Sequence, residues 1–238
     1  MAELKTRAAV LISGRGSNLG ALIEAARHPD YPAELALVLS NRADAAGLER
    51  ARAAGIATAV VESRPYGRDR AGFEAAMQAV LEEAGIGLIA LAGFMRVLTE
   101  GFVSAWSGRM LNIHPSLLPA FPGLDTHARA IAAGVRLHGC TVHFVTPGVD
   151  EGPIIAQAAV PVLPGEDEST LAARVLEQEH RIYPAALAWA ASGAARLEEG
   201  RVVLAVPMAG GAFANPLSGH FATPTEMVSS PPRTGAGP

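Results

Sequence analysis

From Arg7 to Trp106 the chain keeps repeating one unit: a short, continuously apolar run followed by a longer segment with helical spacing. "RAAVLIS" (Arg7 to Ser13) leads to a helix from Ser17 to His28, and "ELALVLS" (Glu34 to Ser40) to an Ala-rich helix from Asp44 to Ala54. "TAVV" (Thr58 to Val61) precedes a helix from about Asp69 to Ala84, and "LIALAG" (Leu88 to Gly93) precedes "MRVLTEGFVSAW". Strands that are apolar throughout, rather than alternating, must be covered on both faces, which selects a parallel sheet with right-handed crossovers. The expected fold class is therefore α/β: an open, mostly parallel twisted sheet with helices on both faces and ligands at the carboxyl ends of its strands.

The pattern changes after "LNIHP". "HGCTVHFV" (His138 to Val145) and "PIIAQAAVPV" (Pro153 to Val162) read as strands joined by the turn "TPGVDEG", and a long helix follows from Ser169 to about Ala191. A direct turn between adjacent strands makes this half mixed, within one continuous domain of residues 1–206. From Pro207 to Pro238 the chain is rich in Pro and Gly and has no periodicity, so burial there cannot offset ordering entropy, and this tail is expected outside the fold.

Half of the 238 residues are hydrophobic, enough for a large core. A net charge of -4, a single lysine (Lys5) and 5% aromatics give neither a basic stripe nor base-stacking platforms, so nucleic acid is not an expected partner. The lone Cys140 forms no internal disulfide, no apolar run is long enough to span a bilayer, and the first residues lack a secretory core. A cytoplasmic location is the expectation.

"VLISGRGSNLGALIEA" places Gly14, Gly16 and Gly20 between a strand and a helix. Leu19 stands where a dinucleotide fingerprint needs its third glycine, and the second strand closes on "LSNR" without an acidic residue. Two readings stay open. The N–H groups of Gly16, Ser17 and Asn18 hold a phosphate, better a monophosphate than a dinucleotide, or the stretch is a tight turn capped by Ser17 or Asn18.

In "LNIHPSLLPAFPG" Asn112 and His114 fall on one side of an extended strand, and Asp150 sits in a surface loop flanked by Gly148 and Gly152. A carboxylate beside an imidazole favours the protonated ring, and an amide adds an uncharged donor. The set suits acyl transfer, stabilising the oxyanion of a tetrahedral intermediate and moving a proton. No nucleophile accompanies it. Ser116 lacks a strand-to-helix elbow and Cys140 reads as a buried, inert thiol, so direct transfer between two bound substrates is expected. His138 and His143, five apart and without Cys partners, do not make a zinc site. His143 reads as a packed strand residue, while His28, His127 and His220 carry no motif.

Taken in order, "VLISGRGSNL", "SNRADAAGLERARAAGI", "LAGFMRVLT", "LNIHPSLLPAFPGLDTHARAI", "HGCTVHFVTPGVDEGPIIAQAAVPV" and "EQEHRIYP" resemble the phosphoribosylglycinamide formyltransferase family, over about Ala8 to Val206. The resemblance implies a Rossmann-type formyltransferase fold and transfer of a formyl group from 10-formyltetrahydrofolate, the co-substrate, to the amine of glycinamide ribonucleotide in purine biosynthesis. It implies Asn112, His114 and Asp150 as the catalytic set, with Gly16, Ser17, Asn18 and Glu179 on the ribonucleotide. The folate would lie on Met95, Arg96, Val97 and Leu98, with Arg70 near its glutamyl tail and Thr146, Pro147, Gly148, Val149 and Asp150 beside Asn112. No metal is implied, and a monomer or weak homodimer is expected. The chain departs from the family at Asp125, where a His is usual, and at "TPGVD", which replaces a more acidic loop. Formyltetrahydrofolate deformylase is the alternative, although its amino-terminal regulatory domain is not seen here, nor is the basic carboxyl-terminal domain of methionyl-tRNA formyltransferase. A noncatalytic folate or nucleotide binding module is the reading from a different class.

Overall fold

The computed structural model describes residues 4–206 and 214–215. The elements are β1 (Thr6–Ile12), α1 (Ser17–Ala26), β2 (Ala33–Ser40), α2 (Ala46–Ala53), β3 (Ala57–Val60), α3 (Arg70–Glu83), β4 (Leu88–Leu91), α4 (Glu100–Ala105), β5 (Met110–His114), α5 (Thr126–Ala132), β6 (Leu137–Phe144), β7 (Ile154–Pro161), α6 (Glu168–Ala191), β8 (Ala195–Glu198), β9 (Arg201–Leu204) and β10 (Ala214–Asn215). The main sheet runs β10-β7-β6-β5-β4-β1-β2-β3. β1 to β5 pair parallel, and β6 and β7 add antiparallel. That is the mixed arrangement expected of the second half.

β1, β2 and β4 bury both faces, whereas β3 stands at the sheet edge and is only partly covered. Val10, Ile12, Val38 and Ala90 belong to the core beneath α1, α2 and α6, while Leu11, Leu39, Ile89 and Leu91 meet Phe73, Met77 and Trp106 on the other side. α6 is bolted to the sheet by Tyr183, whose fully buried hydroxyl donates to the Leu91 carbonyl at 2.9 Å. The chain winds outward from β1 through β2 to β3, then returns to place β4 on the other side of β1. The crevice at that reversal, outside the carboxyl ends of β1 and β4, is where an open sheet of this kind takes its ligand.

Three features differ from the sequence expectation. "MRVLTEGFVSAW" is not one helix: residues 94–99 are irregular and α4 begins only after Thr99, whose hydroxyl accepts the Phe102 N–H as an N-cap. The β8–β9 hairpin continues the fold beyond the long helix. Within the segment expected outside the fold, the backbone of Ala214 and Asn215 pairs antiparallel with Ala158 and Gln157 of β7. The rest of that segment lies outside the described residues.

Candidate active site

β5 ends on His114, and the antiparallel β6 sets Thr141 opposite His114 and His143 opposite Asn112. Cross-strand neighbours of this kind share a face, so the four polar side chains form one patch. The connection from β6 to β7 brings Asp150 back over it, with Asp150 in the left-handed region at φ 56°. Its Oδ2 lies 3.3 Å from His114 Nδ1 and accepts the Gly123 N–H at 2.9 Å. His114 Nε2–H donates to the Phe121 carbonyl at 3.0 Å, since a carbonyl can only accept. A proton on Nδ1 gives the His114–Asp150 pair a charge-assisted hydrogen bond. The pair is nearly enclosed, with side chains 7% and 11% exposed. The structure thus brings together Asn112, His114 and Asp150 as the sequence suggested.

It adds a fourth residue that the sequence reading left as packing. His143 Nδ1–H donates to the Phe144 carbonyl at 2.9 Å, which fixes its tautomer and leaves Nε2 as an acceptor 3.3 Å from Asn112 Nδ2. Burial lowers the His143 pKa and keeps the ring neutral, outweighing the Phe144 carbonyl and Asp150, which act the other way. Among the described residues, Asn112 therefore has one N–H engaged and a second without a partner. The signal for His143 was its even spacing from Thr141, which becomes informative only once the β5–β6 register is known.

The loop after His114 is braced from three elements. Thr141 Oγ1 donates to the Ser116 carbonyl at 2.7 Å and accepts the Leu118 N–H at 3.0 Å, Gln157 Nε2 donates to the Leu118 carbonyl at 2.9 Å, and Arg129 Nη1 to that of Pro122 at 2.5 Å. Ser116 is wholly buried with its hydroxyl on the Ala120 carbonyl, and burial pushes the Cys140 thiol upward, so neither is a nucleophile. Gly152 packs so tightly that an added Cβ would sit 1.7 Å from the Phe144 oxygen and 2.9 Å from His143 Nδ1. Gly152→Ala is therefore expected to displace the carbonyl that sets the His143 tautomer, lowering kcat at least about tenfold and the thermal midpoint by roughly 5 °C, read by steady-state kinetics and melting.

At the other end of the crevice, Gly16 occupies the N-cap position of α1 at φ 68° with no side-chain cap, which sets aside the turn capped by Ser17 or Asn18. Asn18 Nδ2 donates to Glu179 Oε2 at 2.7 Å, joining α1 to α6, and Asn18 Oδ1 is buried with no hydrogen-bond partner among the described residues. Burial raises the Glu179 pKa against the lowering effect of that bond. Gly16, Ser17 and Asn18 line a cavity of about 850 Å³ together with Met95 and Arg96. Ser13, Asn41 and Arg64 line it too, and the sequence reading had not singled them out. Arg70 stands at the exposed start of α3 and is not among the lining residues, nor are Val97, Leu98 and the 146–150 loop. Among the described residues no group of three or more His, Cys, Asp or Glu is placed to hold a metal, and no helix is long and apolar enough to cross a membrane.

Histidine burial also fixes the acid limit of the fold. Burial lowers the pKa values of His127, His143 and His180 and takes that of His138 to about 4. His127 Nδ1 and His138 Nε2 lie 3.2 Å apart and accommodate a single proton between them. Neutral in the fold and protonated when unfolded, these rings stabilise fully above about pH 6.5, and that stability is lost as pH falls below it. Between pH 7 and 5 the thermal midpoint is expected to drop by about 5 °C, and His138→Gln to flatten the slope in calorimetry.

Polar side chains gathered beyond the strand ends of an open, mostly parallel sheet mark the chain as an α/β ligand-binding protein of the doubly wound class. It belongs to the formyl transferase family, whose model matches residues 6–187. It is 47% identical over 190 residues to the phosphoribosylglycinamide formyltransferase of Escherichia coli, covering 80% of this chain and 89% of that one. It is 52% identical over 195 residues to the human trifunctional purine biosynthetic protein adenosine-3, covering 82% of this chain but only 19% of that protein. The chain thus spans between 14% and 20% of the length of its trifunctional relatives. The structure of glycinamide ribonucleotide transformylase 1 from Symbiobacterium toebii superposes with a TM-score of 0.80 at 49% identity, covering 84% of this chain and 94% of that one. The phosphoribosylglycinamide formyltransferase of Coxiella burnetii, solved with CHES, gives 0.81 at 45%, covering 88% and 99%.

Proposed function

We propose that this protein transfers the formyl group of 10-formyltetrahydrofolate to the primary amine of glycinamide ribonucleotide, a step of purine biosynthesis, within a catalytic domain of residues 1–206. The observation that carries the reading is the enclosed His114–Asp150 pair at 3.3 Å beside an Asn112 held by a neutral His143. The amine attacks the formyl carbon. As the tetrahedral centre forms, the second N–H of Asn112 and the Nε2–H of His114, exchanged from the Phe121 carbonyl, meet the oxyanion. The carbon–N10 bond then breaks, the attacking nitrogen loses a proton and the departing N10 gains one, with His114 or water as carrier. Asp150 holds the ring. The phosphate takes the uncapped N-terminus of α1 at Gly16, Ser17 and Asn18, and Glu179 takes the ribose. The folate takes the peptide groups of 95–98 and the 146–150 loop, with Arg70 toward its tail. The protein acts in the cytoplasm on these two small molecules as a monomer or weak homodimer.

The test mixes the chain with 10-formyltetrahydrofolate and follows folate absorbance with and without glycinamide ribonucleotide. Consumption that requires the amine, with formylated ribonucleotide as product, supports the transferase. Consumption without it, releasing formate, identifies a deformylase, and stoichiometric binding without turnover a noncatalytic module.

A further inference from the structure

Residues 94–99 leave β4 without regular structure, and the peptide groups of Arg96, Val97 and Leu98 make no hydrogen bond to another described residue. A ribbon of this kind needs its ends fixed if its free groups are to meet a ligand edge in one geometry. The far end is held by the buried Glu74, whose carboxylate accepts the Thr99 N–H at 2.6 Å and the Thr99 hydroxyl through its other oxygen. The near end is held from β1: Ser13 N–H donates to the Gly93 carbonyl at 3.1 Å, and Ser13 Oγ accepts the Met95 N–H at 2.8 Å. A hydroxyl has one hydrogen. That hydrogen goes to Asn41 Oδ1, 2.6 Å away, so the lone pairs of Ser13 are left for Met95.

Asn41 is itself fixed from the side of β3. Its Nδ2 donates to Ser63 Oγ at 3.2 Å, and its carbonyl accepts the Ser63 N–H at 3.3 Å. Ser13 and Asn41 are both 6% exposed, whereas Met95 is 70% exposed; Phe94 and Leu98 pack against the core, but the Met95 peptide between them is held by its hydrogen bond to Ser13 and not by its own side chain. We infer that Asn41 is a positioning residue that acts through Ser13 on the Met95 amide, setting the geometry of the 95–98 segment and with it the affinity for folate. The inference rests on the folate assignment under Proposed function. It also separates the two substrates: the phosphate turn has anchors of its own in the Asn18–Glu179 bond and in the Gly47 N–H, which donates to the Gly14 carbonyl at 3.0 Å.

The experiment compares Asn41→Leu, Ser13→Ala, their double variant and Asn41→Asp with the wild-type chain. Asn41→Leu keeps the shape and removes the acceptor, so it and Ser13→Ala are each expected to raise the folate KM about tenfold and the ribonucleotide KM, whose cavity both residues line, by a clearly smaller factor. The double variant should equal the singles because they break one chain. Asn41→Asp retains the acceptor and should recover most of the folate KM. Amide hydrogen exchange of the 94–99 peptide, read on the same proteins without substrate, should show Met95 protection lost in Asn41→Leu and in Ser13→Ala and kept in Asn41→Asp. Unchanged folate KM and unchanged exchange in Asn41→Leu overturn the inference, as does an equal rise of both KM values with a lower thermal midpoint. Inactivity of the wild-type chain counts against the transferase reading instead, and the exchange measurement still decides the positioning role.

Discussion

Asp150→Asn is expected to lower kcat about a hundredfold or more while leaving both KM values within about threefold, because it removes a charge and little else. Asp150 sits at φ 56°, a conformation that Asn tolerates better than other replacements. The amide oxygen can still accept the Gly123 N–H that reaches Oδ2 at 2.9 Å, so the 146–150 loop keeps its anchor. What disappears is the carboxylate 3.3 Å from His114 Nδ1, and with it the negative charge that faces and orients the ring. His114→Ala should cost at least as much, and the double variant little more than either single, since the two residues act as a unit. Pre-steady-state rates with both substrates saturating provide the check. If His114→Ala turned over at a near-native rate, the catalytic roles of His114 and Asp150 would be wrong even with the reaction correctly identified.

How far such a site can be read from sequence depends on the kind of order that makes it. β1, β2 and β4 were legible because a strand buried on both faces must be largely apolar, and Val10, Val38 and Ala90 are all fully buried. Asn112 and His114 were legible for a related reason, since period-two spacing survives any register. His143 was not: its bond to Asn112 exists only because β6 pairs antiparallel with Asn112 opposite His143, and that register is a tertiary fact. Residues 94–99 misled for a different reason. "MRVLTEGFVSAW" has helical spacing, but Ser13 and Glu74, distant in sequence, take the Met95 and Thr99 N–H groups and stop the helix from starting earlier than Glu100. The β8–β9 hairpin closes through Glu199 and Gly200, both at positive φ, over strands too short to announce themselves. Arg70 starts α3 outside the residues lining the cavity, whereas Arg64 and Arg96 line it.

The ribonucleotide end of the crevice yields the other large effect. Gly16→Val is expected to raise the ribonucleotide KM at least tenfold, to roughly a hundredfold, and to cost about 1–3 kcal/mol of stability, while folate affinity in the binary complex changes less than about threefold. Gly16 sits at φ 68° and ψ 44°, where a β-branched side chain is a steric outlier. An added Cβ would also lie 3.1 Å from the Gly47 Cα and 3.4 Å from the Leu19 side chain. Relief can only come from moving the turn, because Gly47 is itself wedged, with its own Cβ position 2.6 Å from Ile12 Cδ1. Moving the turn shifts the first N–H groups of α1, which have no side-chain cap to hold them in place. The folate segment should escape, since its anchors are Ser13 and Glu74, on the strand side of the turn and on α3. Gly16→Ala, smaller and unbranched, should fall between wild type and Val on both scales. Titration of each ligand separately, with a melting curve for each variant, distinguishes the outcomes: a selective loss of ribonucleotide places the phosphate at this turn, whereas equal loss of both ligands means that the turn only supports the sheet.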